Sequence, residues 1–163
     1  MSRPTLRSLY DEHAPYVLRA LRYLGVPSAE LDDALQETFI VASKRLGDLR
    51  ETGHRAWLYA IAYNVGRHAR RKSKPESNES HGDSIASSAS GADQSRIEAR
   101  NELIYLLSFL DEEDRMLVVY YHVEQMTMRE VAEIIGVPVQ TAYSRLASAM
   151  RALAEARQRE GSR

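Results

Sequence analysis

The chain has 163 residues, 44% of them apolar and 28% charged, with a formal net charge of −1 and no cysteine, a composition that builds packed cores rather than a disordered tail. Disulfides and thiolate-held zinc are excluded, and His13, His54, His68, His81 and His122 lack the close spacing that aims two ligands at one metal, so no metal or cofactor is expected. Charges break every apolar stretch short of membrane-spanning length, and "MSRPTLRSLYDEH" lacks the layout of a signal peptide, which predicts a cytoplasmic protein without membrane insertion.

In chain order, Leu6, Leu9, Tyr10, Tyr16, Val17, Ala20, Leu21 and Leu24 recur at three- and four-residue spacings and predict a helix that ends at Gly25. Pro27 and Ser28 restart the chain as a turn and cap. Leu31, Ala34, Leu35, Thr38, Phe39, Ala42 and Leu46 mark a second helix closed by Gly47, and a third begins after Gly53 with Trp57, Leu58, Ile61, Ala62 and Val65 inward. These make a helical bundle of about 70 residues, near the lower limit of independent stability. The stretch "SKPESNESHGDSIASSASGADQS", residues 73–95, has Ile85 as its only large apolar residue and reads as a linker. A second helical unit follows, with Ile97, Leu103, Ile104, Leu106, Leu107 and Leu110 as its first stripe and Asp111 as the N-cap of a helix whose start is enriched in acid. The fold class is therefore all-α: two small helical domains, residues 1–74 and 96–163, joined by a flexible linker over 75–95.

The second domain contains "MTMREVAEIIGVPVQTAYSRL", residues 126–146. Thr127 and Glu130 have capping-box spacing, Val131, Ile134 and Ile135 form a buried edge, Gly136 suits a left-handed turn, and Pro138 suits the first turn of the next helix. This is the pattern of a helix-turn-helix. In its second helix Val139, Ala142, Tyr143, Leu146, Ala149, Met150 and Leu153 share the apolar face, which leaves Gln140, Thr141, Ser144, Arg145 and Ser148 outward at the end where recognition helices meet base edges. A protein-docking hairpin is the alternative, but a merely solvated face more usually carries Glu and Lys pairs.

Charge is unevenly placed. Thr52 to Pro75 contains no acid but holds Arg55, Arg67, Arg70, Arg71, Lys72 and Lys74, whereas Glu30, Asp32, Asp33 and Glu37 crowd an earlier stretch. A basic helix end is often only solvated, yet beside a DNA-reading module phosphate contact explains it better. Trp57 and Tyr59 could stack on unpaired bases, although a lone Trp at helical spacing is more often core; Tyr63 and Asn64 are better placed for polar contact. Two surfaces of opposite sign imply two different partners.

Three linked motifs resemble the extracytoplasmic-function (ECF) class of bacterial RNA polymerase sigma factors. "DDALQETFIVASKRL" is similar to the family's D-L-V-Q-E-V-F pattern, "RAWLYAIAYNVGRHARRK" to its W-L-Y-x-I-A-x-N signature with a basic tail, and "LDEEDRMLVVYYHVEQMTMREVAEIIGVPVQTAYSRL" to its L-P-x-x-x-R and helix-turn-helix patterns. The resemblance implies that Asp33, Gln36 and Glu37 bind the clamp helices of core RNA polymerase. It implies that Asn64, Arg67, Arg70 and Arg71 engage the minus-10 element of promoter DNA, with the loop "GDLRETGH" helping to capture a flipped base. Gln140, Thr141, Ser144 and Arg145 would read the minus-35 element as duplex. Tyr63, His68, Gln140 and Tyr143 depart from the common family pattern, so sequence preference does not transfer with the architecture.

The resemblance also implies an anti-sigma factor that clamps the two domains together. The linker spans roughly 75 Å only when fully stretched, so weak promoter binding by the isolated chain is expected, with polymerase holding the domains apart. A stand-alone helix-turn-helix regulator is the alternative function. No Walker loop, G-x-G-x-x-G or G-x-S-x-G supports an enzyme, and no catalytic residue is assigned.

Overall fold

The computed structural model describes residues 3–50, 53–73 and 91–163, and every regular element among them is a helix, as expected. The first domain holds α1 (Leu6–Tyr23), α2 (Leu31–Lys44) and α3 (His54–Ser73); the second holds α4 (Gly91–Leu107), α5 (Glu112–Val118), α6 (Met128–Ile135) and α7 (Val139–Gly161). Helix α1 starts on a capping box in which Thr5 Oγ1 accepts from the Ser8 amide and Ser8 Oγ accepts from the Thr5 amide. The restart after Gly25 is a short 3₁₀ turn over Ser28–Glu30, and Ser28 is its first residue rather than a helix cap. Along α2 the predicted stripe is buried at Leu31, Ala34, Thr38, Phe39 and Ala42; Thr38 satisfies its hydroxyl by donating to the Ala34 carbonyl at 2.8 Å.

The expected linker lies mostly outside the described residues, but its last five, residues 91–95, form the first turn of α4. Their polar side chains work for the helix. Ser95 donates back to the Gly91 carbonyl at 3.1 Å, and Gln94 donates to Glu98 one turn on. Asp111 caps α5 by accepting from the Asp114 amide at 2.8 Å, and a π-helical turn over Val119–Val123 then redirects the chain. The Thr127–Glu130 capping box forms, Gly136 takes φ +75°, and Pro138 is the N-cap of α7. Replacing Thr127 by Ala removes the box and is expected to cost about 1 kcal/mol in chemical denaturation.

Two of the three apolar clusters belong to the first domain alone. The largest is shared: Ala20, Leu24, Tyr59 and Tyr63 of the first domain pack with Leu107, Met116, Leu117, Tyr120 and Val131 of the second. Bundles this small lie near the lower limit of independent stability, and the shared cluster adds apolar burial between them. Helix α7 buries only Ala142, Leu146, Ala149, Leu153 and Ala156. Val139, Tyr143 and Met150, expected on its apolar face, are exposed, because the buried residues form a narrow three-four stripe and these three lie beside it.

Candidate nucleic-acid interface

The acidic face is built on α2, whose buried stripe turns Asp33, Gln36 and Glu37 to solvent one helical turn apart. Asp32, Asp33 and Gln36 edge an open groove floored by Leu6, Leu35 and Phe39 and flanked by Tyr10 and Ile40. Tyr10 meets Phe39 edge to face at 4.9 Å, and Ile40 stays 40% exposed. Ile40 was legible as a residue off the inward stripe, four positions from Gln36. A groove with an apolar floor and acidic rim fits a helix that presents both apolar and basic side chains.

On α3 the basic tail turns toward the second domain. Asn64 is exposed. Arg67 pairs with Glu112 at 2.9 Å, Arg71 at 3.7 Å and Arg70 at 3.9 Å, so one carboxylate at the start of α5 gathers three guanidinium groups. Tyr59 and Tyr63 are buried, contrary to the expected base stacking and polar contact, because α3 lies between the two domains and buries a face toward each. Trp57 packs at the edge of the first-domain core. The Tyr63 hydroxyl is buried with no hydrogen-bond partner among the described residues. Tyr63→Phe removes that unpaired group, so thermal unfolding is expected to stay level or rise by up to about 1 kcal/mol in stability.

On α7, Gln140, Thr141 and Ser144 are exposed at the helix start, on one side of the left-handed turn at Gly136. Arg145 is committed elsewhere. Its guanidinium donates to Glu113 at 2.7 Å and Asp114 at 3.1 Å, bracing α7 against α5, and the hydrogen bond to Glu113 raises its pKa further. The Asp114 carboxyl is also raised, because burial and the neighbouring Asp111 outweigh Arg145. In this structure the guanidinium expected to meet base or phosphate is paired with two carboxylates of its own domain. Tyr143, expected in the core, stands 48% exposed against the Tyr121 ring.

A further polar cluster went unnoticed in the sequence. The Glu124 side chain is wholly buried, and Arg19 grips it through two hydrogen bonds of 2.9 Å while Tyr59 donates to it at 2.6 Å. Arg55 donates to the Glu124 carbonyl, and Tyr120 donates to the Tyr59 carbonyl at 2.7 Å. Burial, then the adjoining carboxylate, pushes the Tyr59 phenol up, so it stays a donor at neutral pH. Nearby, buried Arg115 donates to the carbonyls of Leu107 at 2.9 Å and Leu24 at 2.8 Å; burial and Arg70 pull it down to about 10, which leaves it charged. Glu124 lies 105 positions from Arg19 and 65 from Tyr59, and no local pattern connects them. Among the described residues no group of three His, Asp or Glu side chains is placed to hold a metal, and no helix is long and apolar enough to cross a membrane.

Comparisons with known proteins cover both domains. Residues 9–76 match the family described as Sigma-70 region 2, and residues 100–153 match Sigma-70, region 4. The chain is 29% identical over 154 residues to the RNA polymerase sigma factor CnrH of Cupriavidus metallidurans, covering 86% of this chain and 80% of that protein. It is 29% identical over 153 residues to the ECF RNA polymerase sigma factor SigL of Mycobacterium tuberculosis, covering 91% and 86%. Its fold is similar to that of CnrH solved with the cytosolic domain of CnrY, with a TM-score of 0.73, 24% identity and coverage of 94% and 87%. It is also similar to a structure of the sigma factor RpoE with the anti-sigma factor NepR from Bartonella quintana, with a TM-score of 0.70, 20% identity and coverage of 91% and 94%.

Proposed function

Because the chain belongs to the sigma-70 family, in its extracytoplasmic-function class, we propose that it binds core RNA polymerase and directs promoter recognition through the two surfaces described above. The observation that carries this reading is the pairing, in one chain, of an exposed acidic groove on α2 with a helix-turn-helix whose leading face is bare. Asp33, Gln36 and Glu37 contact polymerase. Asn64, Arg67, Arg70 and Arg71 contact the minus-10 element, and Gln140, Thr141 and Ser144 read the minus-35 element in the major groove, where short polar side chains let the helix sit deep. Arg145 joins them at the minus-35 element, exchanging Glu113 and Asp114 for DNA. Residues 1–74 and 96–163 form the working domains, and the protein acts in the cytoplasm without chemistry of its own.

An anti-sigma factor is proposed as a further partner. The solved relatives are complexes with the cytosolic domain of CnrY and with NepR, and exposed Phe109, Tyr143 and Met150 offer apolar contact on the second domain.

Transcription from a promoter-fragment library tests the proposal. Core polymerase supplemented with the chain is expected to give transcripts from discrete starts that share two upstream motifs. Transcripts that begin only at fragment ends, with or without the chain, would refute it.

A further inference from the structure

Tyr143 is a large aromatic side chain that the fold leaves outside its core, and it is one of the positions at which the chain departs from the common family pattern. Helical spacing explains what lies around it. Gln140, Ser144 and Ser148, each four positions from the next, form a polar row along α7, and Val139, Tyr143 and Ala147 form an apolar row beside it. All six side chains are exposed. The apolar row runs between the polar row and the buried stripe that starts at Ala142.

Tyr143 is also braced. Its ring meets the Tyr121 ring edge to face at 6.2 Å, and Tyr121 meets His122 in the same manner at 5.0 Å. Tyr121 belongs to the π-helical turn over Val119–Val123 and packs against the largest apolar cluster, so a ring rooted in the core supports Tyr143 from one side. A tyrosine has only two side-chain torsions, and one held in this way loses little further freedom when a ligand covers its open side.

In the major groove each A·T pair sets hydrogen-bonding groups beside an apolar one: adenine shows N7 and its N6 amino group, thymine its O4 and its 5-methyl group. A polar row flanked by an apolar row matches that edge. A G·C pair would serve the polar row but offers the apolar row no methyl group. We infer that Tyr143 is a specificity-determining residue, packing its ring on the 5-methyl group of a thymine in the upstream (minus-35) element. This rests on the proposed function, which sets α7 in the major groove. The ring is the reading group and the hydroxyl is not, because a hydroxyl bonded to phosphate would add affinity on every sequence alike.

The test uses polymerase holoenzyme assembled with the full chain and a promoter recovered from the fragment library. Each thymine of the upstream element, on either strand, is replaced in turn by deoxyuridine, which removes the 5-methyl group and keeps the pairing edge. At one position the replacement is expected to weaken binding of the wild-type holoenzyme about fourfold, the worth of one methyl group taken out of water. Tyr143→Phe should keep that ratio and Tyr143→Ala should bring it to about one. Because the ratio is read between two templates within each variant, a general loss of folding or assembly cancels. An upstream element without thymine, uracil without effect at every position, or a ratio that survives Tyr143→Ala or disappears in Tyr143→Phe overturns the inference. A library that shares no upstream motif refutes the proposed function and this inference together, whereas a shared motif whose thymines tolerate uracil refutes this inference alone.

Discussion

Reversing two charges on α2, Asp33→Lys with Glu37→Lys, is expected to weaken binding to core RNA polymerase at least about a hundredfold. Both carboxylates are exposed and take no part in an ion pair with a described residue, so their loss breaks no ion pair of the fold. The predicted effect therefore falls chiefly on binding. The cost to the fold is small: Asp33 lies in the first turn of α2, where a lysine forfeits a favourable helix-dipole interaction of about 0.3 to 1 kcal/mol. Against that small change in stability, like charge placed across an interface costs several kcal/mol, which is where the hundredfold figure comes from. A titration of labelled core polymerase against both chains, with thermal unfolding run alongside, separates the two effects. Unchanged affinity in the doubly reversed chain would move the polymerase contact off this face. An Ile40→Ala variant, trimming an exposed flank of the same groove, should cost less and add to the reversal.

What could be read from the sequence followed from how far apart the cooperating residues stand. The Thr127–Glu130 box, the Asp111 cap and the left-handed Gly136 each depend on residues within four positions, and each forms. The inward stripes of α2 and α3 follow a period of 3.6 and were legible for the same reason. The serine- and glycine-rich composition around Gly91 masked a helix start, because the same residue types serve linkers and first turns alike. Tyr59 and Tyr63 were misjudged because α3 has a neighbour on two sides, and periodicity cannot say what lies opposite the second face. Glu124 and Arg115 were invisible as a pair of locks: each resembles an ordinary surface charge until the other domain is laid over it. Arg145 shows the converse, since its outward place on the helix wheel was read correctly while α5, folded alongside, supplied its partners.

Gly25→Ala is expected to destabilise the full chain by about 3 to 5 kcal/mol in chemical denaturation, far more than a glycine at a helix end ordinarily matters. Two effects add. Gly25 has φ +96°, a backbone that an L side chain adopts at a cost of about 1 to 2 kcal/mol. A Cβ there would also collide with the Arg115 guanidinium, which donates to the neighbouring Leu24 carbonyl. Displacing Arg115 leaves a buried charge short of an acceptor, worth about 1.5 to 3 kcal/mol more. The first effect belongs to the first domain alone, whereas the second exists only while the second domain is seated on it. Repeating the substitution in an Arg115→Ala chain removes the collision, so the cost of Gly25→Ala should fall there to about 1 to 2 kcal/mol, the backbone effect alone. Equal costs in the two backgrounds would mean that Arg115 does not rest on Leu24 in solution. The glycine therefore measures, through stability and without any DNA or polymerase present, whether the closed arrangement is the one the free chain adopts.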